Sequence, residues 1–315
     1  MRLTAASPAP ERRVPSLAVY ADSLETVRGA AEGGCHRIYF EPFLGEPADC
    51  AKNTLRLLQE AKAVCPNAEL IWKWPKITRE DYLNSVRPLL ANSDVDGIMV
   101  EGVGAAEAVL AARPGVRLYG AAGLNVWNHL TVEQLSPPFQ RLTLSPELSG
   151  EQLAEIIARS RQGASASEGA PTLELVVQGS LEVMVAEDCI PCLTKGLANP
   201  GGFWGLQDFK RVFPLRLDGD SRTHIFNSAE TCLLDYMPKL FEMGLDGLAV
   251  DARGRTGKYA REMTDIYIRA IELTEKGGES LPGELQALKE RIRPMALGGI
   301  TSGHFIRGLK EDLSR

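Results

Sequence analysis

The chain has 315 residues, of which 44% are hydrophobic and 24% charged, with 30 glycines, 19 prolines and six cysteines. This composition is ordinary for a globular protein and excludes a collagen, a coiled coil and a mainly disordered chain. A chain of this length buries enough surface on folding to need no disulfide bonds. Its net charge of −6 argues against broad coating of nucleic acid, although it leaves a local basic groove open.

The N-terminal segment indicates no export. Residues 1–15 lack the apolar core of a secretory signal, so we interpret them as a disordered leader. No apolar run approaches the ~18 residues that span a bilayer. A cytoplasmic, reducing compartment is therefore expected, in which the cysteines are thiols or metal ligands rather than disulfide bonds.

Eight short apolar runs alternate with segments of helical periodicity. Such runs are typical of strands that are covered on both faces. Eight strand–helix units within ~250 residues predict the α/β class and a closed (β/α)8 TIM-like barrel, with an open doubly wound sheet as the alternative. The predicted strands are Leu17–Ala21, Arg37–Glu41, Leu70–Trp74, Gly97–Val103, Arg117–Leu124, Arg141–Ser145, Leu173–Gly179 and Gly247–Asp251.

The alternation is interrupted between residues 181 and 228, after the seventh strand. We interpret this stretch as an elaborated loop that is partly a β-hairpin. Residues 16–276 then form the barrel domain with this insertion, and residues 277–315 form a C-terminal extension that packs on the barrel. Because function in barrels collects in loops at the carboxyl ends of the strands, the insertion is where chemistry is expected.

Polar residues follow the predicted strands at their carboxyl ends, where a barrel brings them to one mouth. For each residue alone, a structural ion pair or helix cap is the ordinary alternative to catalysis. Together they predict a ligand cavity, since so many polar groups at one end need partners. The set is Glu41, Lys73, Glu101, Asn125, Gln178, Asp251 and Arg253, joined by Arg222 and His224 from the insertion.

His224 is the best candidate for a general acid or base, because its ordinary pKa lies near neutrality. A buried imidazole that is satisfied by the backbone is the structural alternative. Arg222 and Arg253 have forked donors that suit a carboxylate or phosphate, or they pair with Asp218 and Asp251.

The cysteines offer a second site. Cys189 and Cys192 form a C-x-x-C pair, and Cys232 follows 40 residues later. Thiolates at this spacing suit an iron–sulfur centre or zinc, while a chance pair or a redox dithiol remains open. Cys35 and Cys65 are predicted to be buried structural thiols. Cys50 either reaches the barrel mouth or is an inert residue at a helix start.

Several segments resemble the collagenase-like peptidase family U32. They are residues 174–189, which include Glu174-Leu175-Val176-Val177-Gln178-Gly179-Ser180-Leu181-Glu182, and residues 124–128, 218–232 and 303–308. The resemblance implies a barrel-like catalytic domain. It also implies one of two activities: proteolysis, or oxygen-independent hydroxylation of an RNA or a quinone precursor by members that carry a four-iron, four-sulfur cluster on four cysteines.

The resemblance carries over to individual residues only in part. Cys189 and Cys232 match two of the family's cluster ligands, whereas Glu182 stands where the family has its first cysteine. Cys192 and Cys50 are the candidates to replace the missing ligands. The same residues suit zinc, with Glu182 or His224 activating water in a metal-assisted peptidase.

Absent motifs narrow the function. The sequence contains no phosphate-binding P-loop, no dinucleotide-binding fingerprint, and neither G-x-S-x-G nor H-E-x-x-H. The leading hypothesis is an iron–sulfur enzyme in which His224, Arg222 and Asp251 orient an RNA base or small aromatic substrate. The alternatives are a metal-assisted peptidase and a non-catalytic subunit that needs a protein partner.

Overall fold

The computed structural model of the chain describes residues 13–42, 50–162, 169–193, 204–218 and 221–308. Eight parallel strands close into a barrel, because the last of them, β13 (Gly247–Asp251), pairs with both the first, β1 (Ser16–Ala21), and the seventh, β7 (Thr172–Gly179). The predicted (β/α)8 barrel is therefore confirmed, and the open sheet is wrong. The barrel strands are β1 (Ser16–Ala21), β2 (Arg37–Phe40), β3 (Glu69–Lys73), β4 (Gly97–Val100), β5 (Leu118–Gly120), β6 (Phe139–Thr143), β7 (Thr172–Gly179) and β13 (Gly247–Asp251).

The helices cover the outside of the barrel. Several begin at sequence-encoded caps: the Ser23 and Ser149 side chains accept hydrogen bonds from backbone N–H groups at the starts of α1 and α6. The helices are α1 (Leu24–Glu32), α2 (Cys50–Val64), α3 (Glu80–Val86), α4 (Val103–Ala112), α5 (His129–Leu135), α6 (Gly150–Ser160), α7 (Met237–Met243), α8 (Gly257–Lys276), α9 (Leu281–Ile292) and α10 (His304–Arg307).

The apolar core has two parts. A large cluster fills the layer between the barrel and its helices, and a smaller one, which includes Tyr20, Tyr39, Met99 and Tyr119, fills the inside of the barrel. The inside is thus packed and is not a pore, as is usual for this fold. Within the described residues, no helix is long and apolar enough to cross a membrane.

The insertion after β7 forms a four-stranded antiparallel sheet in the order β8-β11-β10-β9. Its strands are β8 (Glu182–Ala186), β9 (Trp204–Gln207), β10 (Val212–Leu217) and β11 (Thr223–Phe226). Arg216 of β10 lies opposite His224 of β11, so both side chains project from the same face of this sheet. That face turns toward the barrel, since the Arg216 guanidinium contacts Asp22 at the end of β1.

The C-terminal part joins the barrel through β12 (Glu230–Cys232), which is antiparallel to β7 and parallel to β14 (Ile300–Thr301). Two predicted strands end three or four residues earlier in the structure. The run to Val103 ends at Val100, because Val103 begins α4, and the run to Leu124 ends at Gly120, before a 3₁₀ turn over Ala122–Leu124. Most of the predicted leader lies outside the described residues.

Candidate active site

A cleft of about 300 Å³ opens at the carboxyl ends of the barrel strands, beneath the inserted sheet. Five of the predicted site residues line it: Glu101, Asn125, Glu182, Asp251 and Arg253. The other lining residues are Tyr20, Lys76, Ala121, Ala122, Gly123, Ser145, Pro146, Glu147, Val176 and Leu181. Glu41, Lys73 and His224 lie behind this lining and contact it.

Lys73 is the buried cation of the site. Its Nζ lies 3.0 Å from Glu41 Oε2 and 2.9 Å from Glu101 Oε1, and it donates to the Trp74 carbonyl oxygen at 3.1 Å. Burial alone would lower the pKa of Lys73, but the charges of Glu101 and Glu41 raise it. Its three N–H donors are thereby used, so Lys73 is held as an ammonium ion and does not serve as a nucleophilic amine.

Arg253 links two carboxylates at the rim of the cleft. Its Nη1 donates to Glu41 Oε2 at 2.8 Å, while Nε and Nη2 donate to the two Asp251 oxygens at 3.0 and 2.7 Å. Burial opposes ionisation of Glu41, yet Lys73 and Arg253 lower its pKa to about 2. The bonds just described use three of the five N–H groups of Arg253, so the guanidinium retains donors for a ligand.

Glu101 and Asn125 come from the loops after β4 and β5. The Gly123 N–H donates to Glu101 Oε2 at 2.8 Å, and a Cβ at Gly123 would lie 2.3 Å from that oxygen, so the contact requires glycine. Asn125 has φ 52°, a left-handed conformation that asparagine tolerates better than most residues. Its exposed side chain lines the cleft, where it is available to a substrate.

The inserted sheet supplies a carboxylate–imidazole pair. His224 Nδ1 lies 2.7 Å from Glu182 Oε2, and His224 Nε2 lies 3.3 Å from Asp218 Oδ2. Burial alone would lower the pKa of His224, but its hydrogen bonds to Asp218 and Glu182 raise it, which favours the imidazolium form that can donate to both carboxylates. Lys76 Nζ lies 2.6 Å from the other Glu182 oxygen. Although burial raises it, His224 and Lys76 hold the pKa of Glu182 far below its ordinary value.

Arg222 is positioned on the insertion rather than among the residues that line the cleft. Its Nη1 lies 3.4 Å from Asp218 Oδ2, and its backbone N–H donates to Asp218 Oδ1 at 2.9 Å. Arg222 thus contacts the carboxylate that also holds His224. The geometry makes Arg222 a neighbour that orients Asp218.

Sequence reasoning missed four residues of the site. Lys76 and Tyr20 line the cleft, and Asp22 accepts hydrogen bonds from Arg216 Nη1 at 2.8 Å and from the Gly254 N–H at 2.7 Å. The strand-end argument could have found Tyr20, Asp22 and Lys76, since they lie at or just beyond the ends of β1 and β3. Arg216 has no such signal, because it lies in the middle of a strand of the insertion.

Gln178, which the sequence analysis assigned to the substrate site, is not among the residues that line the cleft. Its Nε2 donates to Glu230 Oε2 at 3.0 Å, and the Tyr267 hydroxyl donates to its Oε1 at 3.3 Å, so it lies between the barrel and α8. The cause is a register shift between β7 and β13, in which Ala249 pairs with Val176 but Val250 pairs with Gln178. The shift disrupts the alternation of inward and outward side chains.

The cysteines are not arranged as the metal-site prediction requires. Cys189 and Cys192 form a disulfide bond, which corrects the expectation of free thiols for this pair. Cys232 lies in the apolar core against the Tyr267 hydroxyl, and burial raises the pKa of its thiol. Cys35 and Cys65 are buried free thiols, as predicted. The side chain of Cys50 lies outside the described residues.

The described residues therefore do not fit an iron–sulfur cluster or a zinc ion. Within that part of the chain, no group of three or more His, Cys, Asp or Glu side chains is placed to hold a metal ion. Cys189 and Cys192 are joined in a disulfide and cannot bind a metal as thiolates. Cys232 is buried in the apolar core, where its thiol resists ionisation. The arrangement is instead suited to binding a polar ligand and to general acid–base chemistry by Glu182 and His224.

Comparison with known proteins supplies a family. The profile of Peptidase family U32 matches residues 76–314. Uncharacterized protease MJ0090 of Methanocaldococcus jannaschii is 26% identical over 249 residues, which cover 75% of this chain and 58% of that protein. The chain thus spans less than two thirds of that relative.

Solved structures with a similar fold include the sialic acid aldolase of Ruminococcus gnavus. The wild-type aldolase has a TM-score of 0.49 at 12% identity, covering 89% of this chain and 80% of the aldolase. Its catalytic lysine mutant has a TM-score of 0.48 at 12% identity, with 89% and 78% covered.

Proposed function

Because the chain belongs to peptidase family U32, we propose that it is a hydrolase whose active site is the cleft at the barrel mouth and whose substrate is a peptide or a similar amide. The observation that carries the proposal is the 2.7 Å contact between Glu182, which lines the cleft, and the imidazolium of His224 behind it. The name of the relative, a protease, agrees with this class of reaction.

Glu182 is the general base in this proposal. Its carboxylate is ionised and faces the cleft, as a base that accepts a proton from water must be. Lys76, its second partner, is 38% exposed at the side chain, so a bound substrate can displace it. Losing that cation and losing water both raise the pKa of Glu182 toward the working range.

Arg253 and His224 have supporting roles. Arg253 lines the same cleft as Glu182, and its charge contributes to the low pKa of Glu182. Its remaining N–H groups can donate to the oxygen that gains negative charge when water attacks an amide carbonyl. His224 keeps Glu182 oriented and shares its proton through the hydrogen bond, so Glu182 can return a proton to the leaving amine.

The test is a kinetic comparison of Glu182→Gln and His224→Gln with the wild type on a quenched-fluorescent unstructured protein and a peptide library. Loss of a general base lowers kcat by about 10²–10⁴-fold, and we expect that for Glu182→Gln. His224→Gln should be less severe and should remove the fall in activity as pH rises through the raised pKa of His224.

Glu272→Gln, which alters an exposed glutamate on α8, is the matched control and should retain wild-type activity. Cleavage by Glu182→Gln at the wild-type rate would refute this assignment of the base. Absence of any cleavage by wild-type protein that is free of contaminating proteases would refute amide hydrolysis.

The iron–sulfur hydroxylase stays a second prediction from the family resemblance, with an RNA base or a quinone precursor as substrate. It would need the Cys189–Cys192 bond to open and Cys232 to leave the core. A non-catalytic role in a complex also stays a prediction, and the greater length of the relative is compatible with it.

A further inference from the structure

The Cys189–Cys192 disulfide lies on the turn that follows β8, the strand that begins at Glu182. The Cys192 N–H donates to the Cys189 carbonyl oxygen at 3.0 Å, and a 3₁₀ turn covers Pro191–Leu193. This turn brings the two Cα atoms to 5.2 Å, which is within the usual range for a disulfide. The C-x-x-C spacing is thus closed by local geometry alone.

The bond is accessible to reagents in solution. Cys192 and its neighbour Leu193 are exposed, and Leu193 reaches 75% exposure. The free thiols of Cys35 and Cys65 are buried, and burial raises their pKa values to about 12 and about 11. Attack by a thiolate requires access to a disulfide sulfur, which the exposed Cys192 provides, whereas the buried Cys35 and Cys65 are poor attacking thiols.

The turn is tied to the strand that carries His224. The Thr223 hydroxyl donates to the Asp188 carbonyl oxygen at 2.7 Å and accepts from the Ile190 N–H at 2.9 Å. Thr223 is fully buried and directly precedes His224 on β11, which pairs with β8. A change in the turn therefore acts on the contact between His224 and Glu182 through two hydrogen bonds and one peptide unit.

We propose that Cys189 and Cys192 form a reversible thiol–disulfide exchange site whose redox state sets the alignment of Glu182 and His224. A thiolate of a reductant attacks Cys192 Sγ, forms a mixed disulfide, and releases Cys189 as a thiolate. A second thiol then attacks the mixed disulfide, which frees Cys192 and leaves the reductant as a disulfide. Two electrons pass from the reductant to the pair, and the two thiolates take up protons from water.

The oxidised turn holds β11 in the position seen in the structure, and reduction loosens it. Weaker contact of His224 with Glu182 and Asp218 removes part of the stabilisation of the imidazolium. The pKa of His224 should therefore fall on reduction. This inference is independent of amide hydrolysis, because it concerns the thiols and the histidine and not the substrate.

Thiol counting tests the exchange site directly. The full-length protein is equilibrated in buffers of reduced and oxidised glutathione, or of reduced and oxidised dithiothreitol, quenched with acid, denatured, and labelled with a maleimide polymer. We expect four labels in oxidising buffer and six in reducing buffer, since the chain has six cysteines. If glutathione and dithiothreitol both raise the number of labels from four to six, the site exchanges with thiols in general. If only dithiothreitol does so, its reductant is a dithiol.

The matched control is the double variant Cys189→Ser, Cys192→Ser, which should give four labels in every buffer. Six labels in strongly oxidising buffer would overturn the proposal. So would an iron–sulfur chromophore in protein that is purified without air and lost in the double variant.

The coupling is tested by NMR titration of the His224 ring proton. Its pKa should be lower in the reduced protein than in the oxidised protein, and the double variant should match the reduced state. If the titration of His224 is the same in all three samples, the coupling to the site is refuted, whatever the thiol count shows.

Discussion

Replacing Lys73 with methionine should destabilise the protein strongly, because it removes the buried cation and leaves two carboxylates without it. Lys73 is 1% exposed, and its ammonium ion lies within 3.0 Å of both Glu41 and Glu101. Methionine has a similar length, so the change is mainly one of charge. Removing one partner of a buried ion pair costs about 3–5 kcal/mol, and we expect a loss of that size in the free energy of unfolding at pH 7.

The pKa of Glu41 gives a second measure of the same interaction. It is about 2, compared with an ordinary value of 4.5. Since a tenfold change in an equilibrium constant is about 1.4 kcal/mol, this difference corresponds to roughly 3 kcal/mol of stabilisation. Lys73 supplies the largest part of it, and Arg253 and Arg216 also contribute. The contact of Lys73 with Glu101 is a separate contribution to stability.

The pH dependence has opposite signs in the two proteins. In the wild type, the stabilisation from Glu41 is present above its unfolded pKa, near 4.5, and is lost as pH falls toward 2. In Lys73→Met, burial of Glu41 is no longer opposed by the charge of Lys73, the largest of the charges that lower its pKa, so we expect the pKa of Glu41 to rise above the unfolded value. The variant should therefore gain stability relative to the wild type as pH falls from 7 toward 5.

Urea unfolding, followed by far-ultraviolet circular dichroism and tryptophan fluorescence, measures both effects. Trp72 and Trp74 flank Lys73 in the core and report on the same region. The double variant Lys73→Met, Glu101→Gln should recover part of the loss, whereas the surface change Lys276→Met should have little effect. A loss below about 1 kcal/mol at pH 7, with no gain at pH 5, would refute the reasoning.

Two further predictions concern the packing of helices α1 and α4 and the charge of the site. Gly29→Ala should lower the free energy of unfolding by about 1–3 kcal/mol, because a Cβ there would lie 2.0 Å from the Gly257 carbonyl oxygen. At Gly104 a Cβ meets nothing within 4 Å, so Gly104→Ala should stabilise α4 by up to about 1 kcal/mol. The same urea assay measures both. In an NMR titration, the His224 ring should show a pKa above its ordinary value. The stabilisation that His224 gives is therefore complete below pH 6.5 and is lost as pH rises through the raised pKa. Glu182→Gln should lower the pKa of His224, and an unchanged pKa would contradict the pairing of the two residues.

The barrel could be predicted from the sequence because each of its strands is a short apolar run between helical segments. Val19, Ile38 and Leu70 illustrate this, since all three are fully buried. The strand ends then predict five polar residues of the candidate site, because the carboxyl ends of parallel barrel strands lie at one mouth. These residues are Glu41, Lys73, Glu101, Asp251 and Arg253. This rule needs only the strand boundaries.

The remaining parts of the site depend on geometry that no local pattern contains. The position of Gln178 reverses because of a register shift between strands that are far apart in sequence. The C-x-x-C pair is equally compatible with a metal, a dithiol and a disulfide, and only the backbone of the turn distinguishes them. The pairing of Glu182 with His224 depends on how β8 and β11 align across an insertion of irregular composition.

The charged network at the mouth combines residues that lie inside the segment matched by the family profile with residues that precede it. Glu101, Glu182 and Arg253 lie within the matched residues 76–314, whereas Glu41, directly after β2, and Lys73, at the end of β3, precede them. Glu41 nevertheless accepts from Arg253, and Lys73 holds Glu101, so each portion neutralises charges of the other. The first three strands therefore contribute to the candidate site as well as to the scaffold, and a fragment that begins at residue 76 would leave Glu101 without Lys73 and Arg253 without Glu41.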